Sequence, residues 1–247
     1  MQIKKYIPNI LTLINLLFGS IAIVFAFEGL FHLAAIFLGL AAFFDFTDGF
    51  AARALNSYSG IGKELDSMAD MVSFGFTPAV VIFRLLQDAS VNSAIWVSNI
   101  NVLPFLAFFI TLFSALRLAI FNVDTRQSEM FIGLPTPANA ILILSIPFAV
   151  HYGSAESIWH SLFSSILSNE WILIGLTLFL SYFLVANVTL FSLKFKNLKV
   201  SDNLVRYVFL AGSAILLIFL RWFAFPLIMI FYITLSIAEY LATKLNK

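Results

Sequence analysis

Four aspartates are concentrated in one short polar stretch of an otherwise apolar chain. The stretch covers residues 45–70, DFTDGFAARALNSYSGIGKELDSMAD, and its carboxylates are Asp45, Asp48, Asp66 and Asp70. Each carboxylate costs roughly 2.5–3.5 kcal/mol at the centre of a membrane helix. Four of them cost about 10 kcal/mol or more unless something compensates their charge, and a bound metal is the simplest compensation.

The spacing of the aspartates allows them to converge on one point. Asp45 and Asp48 lie three residues apart and share one face of a predicted helix. Asp66 and Asp70 lie four residues apart on a second helix, and the polar link 56–62 is short enough to make the two helices antiparallel neighbours. Carboxylate oxygens suit hard divalent cations such as Mg²⁺, Mn²⁺ or Ca²⁺. Four negative charges exceed the need of one divalent ion, which favours a two-metal site of the kind used in phosphoryl transfer.

The complete pattern D-x2-D-G-x2-A-R-x8-G-x3-D-x3-D resembles the signature of the CDP-alcohol phosphatidyltransferases. All eight specified positions match: Asp45, Asp48, Gly49, Ala52, Arg53, Gly62, Asp66 and Asp70. The resemblance implies that the four aspartates hold two divalent cations, with Asp70 also the general base for the acceptor hydroxyl. It further implies a homodimer and a CDP-diacylglycerol site formed by Asp48, Gly49, Ala52, Arg53, Gly62 and Asp66.

Three other stretches resemble the bacterial phosphatidylserine synthases within that family. They are PNILTLIN at 8–15, RLAIFN at 117–122 and FIGLPTP at 131–137. The resemblance implies transfer of the phosphatidyl group from CDP-diacylglycerol to the hydroxyl of L-serine, with release of CMP. In the first stretch, Asn9, Thr12 and Asn15 are spaced to form a polar wall of the substrate pocket or to hydrogen-bond a neighbouring helix. The candidate contacts to serine or to the lipid phosphate are Asn9, Arg117, Asn122, Arg126 and Thr136.

The composition predicts an all-α polytopic membrane protein. Of the 247 residues, 61% are hydrophobic and 11% are charged, and the mean hydropathy is +0.99. A soluble domain carries about 25% charged residues. The net charge of +1, without a basic patch, gives no indication of a nucleic-acid partner. The absence of cysteine excludes disulfides and thiolate metal sites.

Eight hydrophobic segments reach or approach the ~20 residues that span a membrane. Their predicted bounds are 7–27, 30–53, 65–86, 101–122, 134–153, 170–193, 203–220 and 223–243. The first segment has no small-residue cleavage site, so we interpret it as a retained helix. We therefore interpret residues 1–247 as a single integral-membrane domain with its catalytic motif at 45–70.

The lysines and arginines predict the orientation of these segments. With eight spans, twelve of the fourteen fall on one side, and only Arg84 and Arg221 fall on the other. Basic residues favour the cytoplasmic side. Both termini and the aspartates are therefore predicted to face the cytoplasm, from a protein of the cytoplasmic (inner) membrane.

Other functions fit parts of this pattern. A metal-dependent transporter could also place carboxylates between helices, but its site usually lies near the midplane of the membrane and its sequence often shows an inverted repeat. The motif maps instead to one interface, and no repeat is visible. Within the enzyme class, the acceptor could be glycerol 3-phosphate, inositol phosphate or another alcohol. A phosphorylated acceptor requires additional basic residues, and Arg117 and Arg126 leave that alternative open.

Overall fold

The chain is almost entirely helical in the computed structural model, which describes residues 6–57, 59–90, 95–124, 131–191, 197, 199 and 202–245. The α-helices are α1 Tyr6–Phe27, α2 Phe31–Ala54, α3 Gly60–Asp70, α4 Thr77–Ala89, α5 Phe109–Val123, α6 Thr136–Tyr152, α7 Ile158–Ser168, α8 Glu170–Val185, α9 Leu204–Leu220 and α10 Ala224–Leu245. A π-helical segment, Met71–Phe76, joins α3 to α4. Two 3₁₀ turns, Leu103–Phe108 and Arg221–Phe223, precede α5 and α10.

Short strands connect some of these helices. Strands β1 (Trp96–Val97) and β2 (Ile100–Asn101) form an antiparallel hairpin between α4 and α5. Strands β3 (Phe131–Ile132) and β4 (Thr189–Leu190) also pair antiparallel. The second pair ties the segment before α6 to the segment after α8.

The predicted membrane class is confirmed. Among the described residues, five helical stretches are long and apolar enough to cross a membrane: Tyr6–Phe27, Phe31–Ala54, Gly60–Ala89, Leu103–Val123 and Leu204–Ala242. The pair α7 and α8, bent by 84°, makes a sixth if it counts as one span. Helix α6 is apolar but shorter than these. The predicted total of eight spans and the location of the termini stay predictions.

Two predicted boundaries differ from the observed ones. Helix α3 begins at Gly60 rather than at 65, because the Ser59 side chain caps it by accepting a hydrogen bond from the Gly62 N–H at 3.0 Å. Gly62 therefore lies in the first turn of a helix and not in the link. The segment predicted at 170–193 ends as a helix at Val185, where the chain turns to pair Thr189 with β3.

The third membrane stretch is irregular where Gly75 and Pro78 predict a kink. The structure has a π-helix at Met71–Phe76, and Pro78, which has no N–H to donate, lies directly after it in the first turn of α4. π-Helical turns are rare and frequently lie at functional sites. This one directly follows Asp70.

Helix α1 packs closely along the π-helix as well as along α2. A Cβ added at Gly19 would overlap the side chain and backbone of Ser73, so only glycine allows this approach. The Ser73 hydroxyl donates to the carbonyl of Asn15 at 3.2 Å. The Thr77 hydroxyl lies between two acceptors, the carbonyl oxygen of Val72 at 3.1 Å and that of Gly19 at 3.3 Å. These contacts hold the helix that carries Asp66 and Asp70 against α1.

The core lies around α4, whose residues 77–82 are all buried. Helices α1, α6 and α8 and the first 3₁₀ turn pack around it. By contrast, α2 has one buried face and one exposed apolar face that carries Phe43, Phe46 and Phe50. Such an apolar face suits contact with lipid, and it leaves the opposite face of α2 for the aspartates.

Candidate metal and substrate site

Three of the four motif aspartates lie together at one end of α2 and α3. Asp45, Asp48 and Asp66 each offer a carboxylate oxygen, and these oxygens lie within 4.8 Å of one another. Oxygens that bind one ion at about 2.0–2.6 Å can be no more than about 5 Å apart. The cluster therefore fits a divalent cation, both in its spacing and in its all-oxygen chemistry.

The fourth aspartate extends this cluster along α3. Asp70 lies one turn beyond Asp66, and its side chain is within hydrogen-bonding reach of Asp45. Its Oδ1 atom is buried and has no hydrogen-bond partner among the described residues. Asp70 thus adds a buried carboxylate oxygen without a hydrogen-bond partner among the described residues, next to the cluster of the other three aspartates.

Helix α1 orients one of the aspartates. The Thr12 hydroxyl lies 2.6 Å from Oδ2 of Asp48 and 3.0 Å from the carbonyl oxygen of Pro8. Its single proton serves one acceptor at a time, and the shorter distance and the charge favour Asp48. Asp48 is only 6% exposed, so this bond fixes a carboxylate that has little contact with solvent.

A cavity of about 150 Å³ lies next to the cluster. The predicted site residues that line it are Asn9, Asp48, Gly49, Ala52, Gly62 and Asp66. A Cβ at Gly62 would lie 2.9 Å from Oγ of Ser59 and 3.0 Å from Oδ1 of Asn9, so glycine keeps this wall open. The exposed Arg53 places its guanidinium beside Gly49, since a Cβ there would lie 3.5 Å from Nη1. Five of the eight motif positions, from two different helices, thus line one cavity.

The predicted acceptor contacts do not all lie in the same place. Arg117 of α5 is 6% exposed and near enough to Asp70 to interact with it electrostatically. Thr136, at the start of α6, is fully buried, and its hydroxyl has no partner among the described residues. Asn122 instead donates from its amide to Oγ of Ser67 at 2.8 Å and thereby docks the end of α5 on α3. Arg126 lies outside the described residues.

Several residues at the cavity were not singled out from the sequence. Lys63, which lines the cavity, also donates from Nζ to the carbonyl oxygen of Asn122 at 3.0 Å. Ser57 and Ser59 of the link line it as well. Lys63 lies three residues before Asp66, but the predicted helix begins at 65, and only the observed start at Gly60 places both residues on one helix. The two serines carry no spacing signal either.

The fold and the site together define a class of protein. It is an integral membrane protein in which a cluster of carboxylates could hold a divalent cation, beside a cavity that Lys63 also lines. A sequence profile of the CDP-alcohol phosphatidyltransferases matches residues 5–183, so the chain belongs to this family. It is accordingly an integral membrane transferase of phospholipid biosynthesis.

The curated relatives carry more specific names. The chain is 33% identical over 148 residues to "CDP-diacylglycerol--serine O-phosphatidyltransferase" of Bacillus subtilis, covering 58% of this chain and 76% of the relative. It is 32% identical over 163 residues to "Archaetidylserine synthase" of Methanothermobacter thermautotrophicus, covering 65% and 66%. A Methanocaldococcus jannaschii protein with the same name as the Bacillus relative is 34% identical over 170 residues, with 69% of each chain covered.

Proposed function

We propose that the protein transfers the phosphatidyl group of CDP-diacylglycerol to the hydroxyl of L-serine, giving phosphatidylserine and CMP. The observation that carries this proposal is the acidic motif: five of its eight positions line one cavity, and three of its carboxylates lie within 4.8 Å of one another. The names of the Bacillus and Methanocaldococcus relatives support serine as the acceptor.

Two divalent cations, Mg²⁺, Mn²⁺ or Ca²⁺, are the cofactors of this proposal. Asp45, Asp48 and Asp66 would hold them, with Asp70 as the adjoining ligand. When bound, such cations neutralise the pyrophosphate and polarise the attacked phosphorus.

CDP-diacylglycerol occupies the cavity beside α2 in this proposal. Gly49, Ala52 and Gly62 leave room for the nucleotide, and the guanidinium of Arg53 and the ammonium of Lys63 attract the pyrophosphate. The exposed apolar face of α2 carries Phe46 and Phe50 on the adjoining turns. The acyl chains can therefore remain in lipid while the headgroup enters from the side.

Asp70 acts on the acceptor. The serine hydroxyl oxygen attacks the lipid-side phosphorus, and its proton passes to the Asp70 carboxylate, because a neutral hydroxyl is a poor nucleophile. The bond from that phosphorus to the bridging oxygen breaks, and CMP leaves with the electron pair. In this proposal Arg117, which interacts electrostatically with Asp70 from α5, binds the serine carboxylate.

The wider assignments belong to the same proposal. The whole chain, 1–247, forms one catalytic membrane domain, the protein is a homodimer of the inner membrane, and the aspartates face the cytoplasm. A phosphorylated acceptor, such as glycerol 3-phosphate or inositol phosphate, is the alternative, and the names of the Bacillus and Methanocaldococcus relatives favour serine over it. Family membership favours an enzyme over a transporter.

The test is CMP release from CDP-diacylglycerol by the purified protein in liposomes, with serine, glycerol 3-phosphate and inositol phosphate offered separately. We expect release that depends on serine and on Mg²⁺ or Mn²⁺, and that EDTA abolishes. Asp70→Asn should lower kcat by about 10²–10⁴-fold, the usual contribution of a general base. Asp88→Asn is the matched control, because Asp88 is a surface partner of Arg84 at 3.0 Å on α4.

Two outcomes would overturn the proposal. Release of CMP with another alcohol but not with serine would agree with the family's transfer reaction but would refute serine as the acceptor. Release with none of the three would refute phosphatidyl transfer to these acceptors.

A further inference from the structure

Asn139 is a buried polar residue of α6 that the motif does not include. It is 0% exposed, and within the described part of the chain neither its Oδ1 nor its Nδ2 atom has a hydrogen-bond partner. Buried side-chain amides are nearly always paired, since an unpaired one has lost its water without compensation. We therefore expect the Asn139 amide to hydrogen-bond a ligand that is bound when the protein is active.

The level of Asn139 along the bundle can be inferred from the packing of α6 against α2. At the ends of these helices remote from the motif, the rings of His32 and His151 stack at 3.8 Å with an angle of 4° between their planes. Because α2 begins and α6 ends at this stack, and the two helices pack on each other, we infer that they run antiparallel. Asn139 precedes His151 by twelve residues and Phe44 follows His32 by twelve, so equal helical rise brings Asn139 level with Phe44 and its neighbour Asp45.

Other unpaired polar groups reach the same level from other helices. Because Thr12 of α1 bonds to Asp48 of α2, the antiparallel α1 brings Asn15 level with Asp45, and the Asn15 amide is also fully buried and unpaired within the described residues. Arg117 lies near Asp70, and its Nε atom is buried and has no hydrogen-bond partner among the described residues. The helices that carry these groups, α1, α5 and α6, all pack on the π-helix that follows Asp70.

We propose that Asn139 binds the acceptor substrate and selects a zwitterionic α-amino acid over a phosphorylated alcohol; this inference rests on the proposed function. An amide offers one acceptor and two donors. Its Oδ1 accepts a hydrogen bond from the α-ammonium, its Nδ2 donates to the carboxylate, and Arg117 binds the same carboxylate. A phosphorylated alcohol lacks the ammonium and brings a second negative charge that a neutral amide does not balance.

A packing role for Asn139 makes the opposite prediction about stability. If Asn139 holds helices together, an apolar residue of similar size should destabilise the protein. If it is reserved for substrate, Asn139→Leu should leave the melting temperature unchanged or raise it, because an unpaired polar group is removed from the interior. The gain in stability should accompany a loss of acceptor binding.

The experiment measures kcat, the KM for serine, the KM for CDP-diacylglycerol and the melting temperature of Asn139→Leu in detergent. Ser145→Ala is the matched control, since Ser145 is buried in the same helix but donates to the carbonyl of Leu142 at 2.8 Å. We expect Asn139→Leu to raise the KM for serine by about tenfold or more, as the loss of a substrate hydrogen bond does. The KM for CDP-diacylglycerol should change by less than about twofold, and Ser145→Ala should leave both KM values unchanged.

An unchanged KM for serine, or a fall in melting temperature with equal loss of affinity for both substrates, would overturn the inference. If Asn139→Leu does not fold, the KM for serine is measured on Asn139→Ala instead, which removes the amide without adding bulk. An unchanged KM for serine in that variant would likewise overturn the inference. The wild-type protein is assayed in parallel with all three acceptors. Failure of wild type to use serine refutes the proposed function, whereas serine use that Asn139→Leu and Asn139→Ala leave unimpaired refutes only this inference.

Discussion

At the residue scale, the hydrogen bond between Thr12 and Asp48 orients one carboxylate of the candidate metal site. Asp48 is buried, and Oδ2 lies 2.6 Å from the Thr12 hydroxyl. Groups that orient a metal ligand are usually important for affinity, because a freely rotating carboxylate must be ordered when the ion binds. Thr12 therefore links α1 to a site whose predicted ligands all lie on α2 and α3.

Thr12→Val keeps the shape of the side chain and removes this bond. We expect it to raise the Mg²⁺ concentration for half-maximal activity by about tenfold, the lower end of the range for groups that hydrogen-bond a metal ligand. The measurement is a Mg²⁺ or Mn²⁺ titration of CMP release.

Thr47→Val is the control for this substitution. Thr47 lies next to Asp48 in the sequence, but its hydroxyl donates to the carbonyl of Phe43 at 2.7 Å, within its own helix. Equal metal dependence in both variants would show that the bond to Asp48 has no role in ion binding.

At the scale of the elements, the close contact between α1 and the π-helix positions Asp66 and Asp70. Gly19 lies against Ser73, and Gly75 lies against α5, where a Cβ would be 3.0 Å from Cβ of Ser114. The π-helix is thus enclosed by two neighbours that leave it little room. A shift of either helix would move the end of α3 and its carboxylates.

Gly19→Ala should destabilise the protein despite the better helix propensity of alanine. The added methyl group overlaps Ser73, and such overpacking typically costs about 1–3 kcal/mol. Thermal unfolding in detergent measures the effect, and the melting temperature should fall.

Gly39→Ala provides the comparison, because Gly39 is also helical but a Cβ there meets nothing within 4 Å. It should be neutral or should stabilise the protein by up to about 1 kcal/mol through helix propensity. A similar change in both variants would mean that the α1 contact does not constrain the third span.

On the scale of the whole molecule, the C-terminal helix α10 approaches the candidate site through Tyr232. The Tyr232 hydroxyl of α10 donates to the carbonyl of Phe191 at 3.0 Å, and Tyr232 lies near Arg117. The pairing of β3 with β4 connects the start of α6 to the chain just before Phe191. The family match ends at residue 183, so these contacts support the proposal that the remaining helices belong to the same domain.

The orientation in the membrane can be tested because the natural chain has no cysteine. Glu64, beside the motif, and Glu156, between α6 and α7, are both exposed and offer matched positions for a single cysteine. A membrane-impermeant maleimide should label Glu156→Cys in intact cells and Glu64→Cys only after permeabilisation. The reverse pattern would place the aspartates outside and refute the orientation that the basic residues predict.

Much of the candidate site could be predicted from the sequence because its parts lie on helices. A spacing of three or four residues places side chains on one face whatever surrounds the helix, so Asp45 and Asp48, or Asp66 and Asp70, share a face without any tertiary information. The apolar composition likewise indicated a membrane protein, since a chain with 11% charged residues cannot cover a soluble surface.

Tertiary packing decided the rest, because it depends on which helices become neighbours. The role of Thr12, the docking of Asn122 on Ser67 and the unpaired burial of Asn139 all arise between segments that are distant along the chain. Local periodicity does not specify such pairings, nor does it distinguish a π-helix from the kink that Gly75 and Pro78 suggest. The chemistry of the acidic motif follows from residue types and helical spacing, whereas the neighbours that Thr12 of α1 and Arg117 of α5 provide for it depend on how the helices pack.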